Sequence, residues 1–183
     1  LDRVPALMDK HNLPLRLRQT INRMLDDIRQ LTSEIKALDT EIKQQVNGSD
    51  AGKRLQSIPG IGPLIASALV ADVGDASIFK SSRDFAASLG LVPRQYSTGG
   101  RANLLGISKR GDKHLRRLLV QCAKVYLQRL EYQQGALADW VRSLLQRRHA
   151  NTVACALANK FARIAWAIAA NHSLFEARPG TAA

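Results

Sequence analysis

The sequence predicts an all-α protein, a long N-terminal coiled-coil helix followed by a helical domain. Three observations carry that expectation. Ile21, Ile28, Ile35 and Ile42 stand seven apart, with Leu17, Met24, Leu31 and Leu38 interleaved at steps of three and four. Helical apolar spacing returns in several later segments, each bounded by Gly, Pro or a capping residue. Strand patterns are nearly absent, and the apolar run Leu89 to Val92 is too short to count.

Pro5 and Pro14 predict an irregular lead-in over residues 1–14. From Leu15 to about Asn47 the isoleucines take position a of a heptad and the second series takes d. Ile at a with Leu at d favours a parallel two-stranded coiled coil, and Arg, Asp, Lys, Glu and Gln fill the flanks. Packing of the stripe on the chain's own body is the alternative. Asn47-Gly48-Ser49-Asp50 ends the helix and caps the next one. Residues 1–48 therefore read as lead-in and dimerisation helix, 49–175 as a helical domain, and 176–183 as a tail.

Within the second part, a short helix ends near Ser57, Ile58-Pro59-Gly60-Ile61-Gly62 makes a tight turn, and Pro63 opens a helix at its first position. Over about residues 52–73 this resembles a helix-hairpin-helix motif. Gly60 and Gly62 would let backbone amides approach a phosphate at a helix N-terminus. An ordinary helical hairpin is the plainer reading. Ser81 should cap a further helix with Asp84 at its third position. Asp72, Asp75 and Asp84 are better explained as caps and solvated carboxylates than as a metal site. After the basic stretch, helices are expected from Gly111 or Asp112 to about Gln133, from Ala136 to Arg148, and from an Asn151 cap to Ala170. Phe161 and Trp166 are expected in the core.

Charge is the strongest functional signal. The chain carries +12 with a pI near 10.4, which points to a polyanion, nucleic acid first. Half of that charge lies between Pro93 and Arg117, where seven basic residues face one acid, Asp112. A glycine-rich loop over 93–111 carries two serines, Ser97 and Ser108. Ser97 sits in Ser-Thr-Gly-Gly-Arg, among guanidinium groups that can clamp a phosphate. A serine hydroxyl needs a base or a metal to attack, and His114 is too distant in sequence to assign. From the residues alone, Ser97 is either a nucleophile or a phosphate hydrogen-bond donor.

Other classes are disfavoured. Cys122 and Cys155 lack metal-ligand spacing and read as reduced core residues in a cytoplasmic protein. The most apolar segment, Thr152 to Ala170, is interrupted by Asn159, Lys160 and Arg163, so no membrane partner is expected. The chain begins Leu-Asp-Arg without Met, which reads as part of something longer.

Three blocks in order, IPGIGPLIASALVADVGD, FKSSRDFAASLGLVPRQYSTGGR and LLGISKRGDKHLRRLLV, resemble the C-terminal domain of Piv-invertase-like insertion-sequence transposases, the DEDD-type, bridge-RNA-guided recombinases. The resemblance covers roughly residues 50–170, with the preceding helix similar to the family's coiled-coil linker. It implies a serine nucleophile at Ser97, flanked by Thr98, Gly99 and Gly100, that forms a phosphoserine link to DNA. It matches the block Gly106, Ile107, Ser108, Lys109, Gly111, Leu115 and Arg116, with Ser108 given a structural or phosphate-binding role. It implies DNA and a guide RNA as partners, and a homodimer through the coiled coil. It places the magnesium-binding carboxylates in a RuvC-like N-terminal domain outside this chain, so no cofactor is expected here. Phosphate contact by Arg101, Lys109, Arg110, Lys113 and Arg116 is inferred from charge alone. A non-catalytic helix-hairpin-helix DNA-binding module, and a coiled-coil assembly protein with incidental charge, are the competing readings.

Overall fold

A computed structural model describes residues 3–11, 13–74, 76–98 and 101–177. The side chains of Ser97, Thr98, Arg101 and Ala102 also lie outside the described residues. The chain divides into two compact units, Leu1–Lys43 and Gln44–Ala183.

The first unit holds α1 (Val4–Lys10) and most of α2 (Leu15–Gly48). Helix α1 corrects the irregular lead-in: Pro5 stands in its first turn, where the missing amide costs nothing. An Arg18–Asp9 ion pair ties the two helices, and Met8 and Leu25 are buried. Along α2 the stripe predicted for a coiled coil faces solvent. Met24, Ile28, Leu31, Ile35 and Leu38 each expose between 40% and 59% of their surface.

The second unit is mostly helical and contains α3 (Asp50–Gln56), α4 (Pro63–Val73), α5 (Ser82–Ser88), α6 (Lys113–Gln128), α7 (Ala136–Leu145) and α8 (Ala150–Asn171). Helix α8 is its axis. Ala154, Ala158, Ala162 and Ala165 are fully buried, and their small side chains let α6 and α5 approach closely. Helix α6 answers with Leu115, Leu119, Cys122, Ala123 and Tyr126, one stripe of its surface. Tyr126 meets Phe161 edge to face, with ring centroids 5.8 Å apart. Trp166 is half-buried, with its indole N–H donating to the Ala76 carbonyl at 3.1 Å. By length and composition α8 could cross a bilayer. Its burial against neighbouring helices instead makes it the core helix of this fold.

Local chemistry sets the helix ends. Ser81 accepts from the Asp84 amide and donates to its carboxylate, closing the expected capping box. Asp112 caps α6 by accepting from the Leu115 amide at 2.6 Å. Helix α8 is capped by His149 rather than Asn151: the imidazole Nδ1 accepts from the Asn151 amide. The segment just before the expected tail is pinned at Phe175, whose amide donates to Ser57 Oγ at 2.8 Å.

The all-α expectation fails at one place. Residues predicted as a loop form an antiparallel hairpin, β1 (Pro93–Thr98) with β2 (Arg101–Ile107). Ser97 pairs with Ala102 and Thr98 with Arg101. Between the pairs Pro93–Ile107 and Gln95–Leu104, one residue of β1 faces two of β2, a bulge that bends the ribbon.

Candidate nucleic-acid interface

The hairpin is held at its base by an unusually close crossing of two backbone segments. Gly90 and Gly111 both adopt left-handed φ, +67° and +81°. A Cβ on Gly90 would fall 2.0 Å from the Arg110 carbonyl oxygen, and one on Gly111 would fall 1.7 Å from that of Ser88. Only glycine fits either position. The crossing is stitched by Ser108 N–H to Val92 O at 2.8 Å, Lys109 N–H to Gly90 O at 3.1 Å and Asp112 N–H to Ser88 O at 3.1 Å. Asn159 on α8 adds a bond to Leu91 O at 3.2 Å.

Arg116 completes the base. Its Nη1 donates to the carbonyls of Leu89, Arg110 and Asp112 at 2.8, 3.2 and 3.1 Å. A residue singled out for phosphate contact by its charge thus has a structural task at the crossing. Ser108 sits beside it, its Oγ accepting weakly from the Arg110 amide at 3.5 Å. Lys109 adopts φ +59°, rare for a non-glycine residue, and its side chain is exposed.

Beyond the crossing, the described side chains of Pro93 to Tyr96 and Asn103 to Gly106 are all exposed, Tyr96 and Leu104 included. Among its described side chains the ribbon has no buried face. Ser97 stands one register step before its far end by backbone position. The Ser97 hydroxyl, the Thr98 and Arg101 side chains, and Gly99 and Gly100 lie outside the described residues.

Two further surfaces flank the hairpin base. The outer face of α6 presents Lys113, Arg117, Gln121 and Lys124 at helical spacing, all exposed and opposite the stripe that packs on α8. With Lys109 they line a shallow groove of about 320 Å³. None of these four cations is paired with a carboxylate among the described residues. Arg110 is likewise exposed. On the other side, a groove of about 1100 Å³ runs between the hairpin base, α7 and α8.

The turn between α3 and α4 is a separate feature. The Gly60 carbonyl accepts from Cys122 Sγ at 2.9 Å, which seats the turn on α6. Burial pushes the Cys122 thiol up to about 12. Gly62 has open space around it and caps α4 with extended backbone. The first amide of α4 bonded to the turn is Ala66, to Gly62 O at 2.9 Å. The amides of Leu64 and Ile65 precede it and face outward as helix N-termini do.

Among the described residues no three His, Cys, Asp or Glu side chains cluster as a metal site would require. Asp72 senses Asp112 and His114. Partial burial raises its carboxyl, the Asp112 carboxylate adds to that, and His114 opposes it. Asp84 is engaged by Ser81, and Asp75 lies outside the described residues. These groups do not fit a magnesium site.

Sequence comparison gives this geometry a context. Residues 52–138 match the family model described as transposase IS116/IS110/IS902 family. The transposase for insertion sequence element IS1328 of Yersinia enterocolitica is 51% identical over 175 residues, 96% of this chain and 52% of the relative. The transposase for IS1111A of Coxiella burnetii is 38% identical over 153 residues, 84% of this chain and 42% of the relative. The pilin gene-inverting protein of Moraxella bovis is 33% identical over 107 residues, 55% of this chain and 33% of the relative. The chain spans about half the length, or less, of these relatives.

Proposed function

We propose that this chain, whose residues 52–138 match the transposase IS116/IS110/IS902 family model, is the DNA-binding, nucleophile-bearing part of a longer recombinase. One observation carries the reading. Ser97 lies near the far end of an exposed ribbon whose base is locked beside a surface of unpaired cations. In the step proposed, the serine oxygen bonds to phosphorus and the phosphorus–sugar-oxygen bond breaks. The serine proton passes to a base, and the departing sugar oxygen takes one up. Lys109, Arg110, Lys113 and Arg117 hold the flanking phosphates by charge, without reading sequence. A magnesium site supplying Lewis-acid help would lie in the part of the protein beyond this chain.

The exposed heptad stripe of α2 supports pairing of two copies, which would bring the serine of one to the carboxylates of another. A guide RNA belongs to the same proposal through the family resemblance. So does action on DNA in a prokaryotic cytoplasm. The free first-turn amides of α4 support an added helix-hairpin-helix contact to a phosphate. They also favour a second reading, a DNA-binding module without chemistry.

Ser97→Ala in the intact transposase separates the two. Recombination should be lost, with DNA affinity kept within about twofold of wild type, a binding change of roughly 0.4 kcal/mol. Unchanged recombination would remove Ser97 from the chemistry. Trapping a covalent adduct at Ser97 on a nicked substrate would exclude the binding-only reading.

A further inference from the structure

Apart from Lys109, the groove between the hairpin base, α7 and α8 has no part in the chemistry above. Its composition is distinctive. Ile107, Trp140 and Ile164 contribute apolar walls, and Arg94, Lys109, Lys160 and Arg163 contribute cations. No Asp or Glu lines it. None of the four cations has a carboxylate partner among the described residues. Lys160 and Arg163 are close enough to repel. Burial and then that repulsion both lower the Lys160 ammonium. Lys160 lies 4.1 Å over the Trp140 ring, so an aromatic plane and a cation already stand side by side.

Apolar walls want a flat, weakly hydrated group, and unpaired cations want an anion. A duplex satisfies only the second demand, because its bases are stacked inside. An unpaired strand satisfies both, which is how single-strand grooves combine aromatic platforms with positive charge. We infer that this groove binds an unpaired DNA strand, with a base against Trp140 and phosphates on Arg94, Lys109, Lys160 and Arg163. DNA rather than RNA follows from position, and that choice rests on the proposed role of Ser97. Arg94 and Ser97 share strand β1, three residues apart, or about 10 Å. That is roughly three stacked base steps along one strand. A strand seated here runs along the ribbon that carries the serine, on the face that alternation gives to Arg94, and reaches Ser97 by crossing the ribbon's edge, as opened DNA can beside a cleavage point.

The test is direct binding to the 183-residue chain, read by tryptophan fluorescence. Trp140 lines the groove, and Trp166, the other indole, is bonded to Ala76. The probes are a short mixed-sequence DNA strand, the same strand made abasic, an RNA of the same sequence and a duplex of equal length. The DNA strand should quench fluorescence, and Trp140→Phe should abolish the quench. Removing the bases should weaken binding roughly tenfold, the scale of one stacked base. Ala156→Trp, which fills the groove, should weaken the strand by at least about tenfold and leave duplex affinity unchanged. Should that variant not fold, Arg163→Glu carries the same expectation for the strand.

Equal quenching by strand and duplex, or no dependence on Trp140, would overturn the inference. So would tighter binding of the RNA, which would give the groove to a guide. Quenching that grows with protein concentration alone would make the groove an interface between copies. None of these outcomes bears on whether Ser97→Ala abolishes recombination. Conversely, a dispensable Ser97 leaves strand binding in the groove as measured.

Discussion

Replacing Gly111 by alanine should damage this protein more than its size suggests, because the added methyl group has nowhere to go. An alanine held at φ +81° costs about 1 kcal/mol in backbone strain. Its Cβ would also sit 1.7 Å from Ser88 O and 2.7 Å from the carbonyl carbon behind it. Relief requires the two backbones to part by about 1.7 Å or more to reach ordinary contact. That movement breaks Asp112 N–H to Ser88 O and strains Lys109 N–H to Gly90 O, each worth about 1 kcal/mol. The sum is about 3 kcal/mol. For a chain of this length the melting temperature should fall by roughly 10 °C. Circular dichroism against temperature measures it. Gly106→Ala is the control, since a Cβ there meets nothing within 4 Å and φ is not left-handed. It should change stability by less than about 0.5 kcal/mol. If Gly111→Ala melts within about 2 °C of wild type, the crossing is not the tight junction described.

Arg116→Ala should cost about 2 kcal/mol by stranding three carbonyls, and Arg116→Lys should recover part of it, because all three bonds come from one nitrogen and an ammonium carries three donors. Arg117→Ala, one residue on and fully outward, should leave denaturant stability unchanged while weakening duplex binding and flattening its salt dependence. Cys122 makes stability fall in alkali. Its folded thiol ionises near 12 against an ordinary value of 9.0, so the native state keeps a proton that the unfolded chain releases. Stability is full below pH 9 and declines above it by up to about 1.4 kcal/mol per pH unit. Cys122→Ala should flatten that limb, leaving a smaller decline from Tyr126, also raised by burial. Ile28→Lys with Ile35→Lys should leave melting of the second unit unchanged and shift sedimentation toward the monomer. An unchanged sedimentation coefficient would count against pairing through α2.

Most helices were legible because their physics is local. The a and d spacing of α2, the Ser81–Asp84 pair, Pro63 at a first turn and the Asp112 cap are all written within a few residues. Helix α1 was missed because Pro5 was read as a breaker, although proline is at home in a first turn. The hairpin was missed for a different reason. Strand reading depends on a buried face that imposes alternation, and this ribbon buries neither side. The usable signal was Gly99-Gly100, two glycines between segments able to pair. Charge located the basic surface but could not separate Arg117, which faces out, from Arg116, which holds carbonyls. The large groove was invisible because its walls come from β1, β2, α7 and α8, brought together only by tertiary packing.

A ribbon that packs on the body only at its root can act as a lever. From Pro93 to Thr98 it reaches about 17 Å. A tilt of about 10° at the root sweeps the far end through about 3 Å, the scale on which a contact is made or lost. The position of the far end is thus governed from Gly90 and Gly111, about 17 Å away from it.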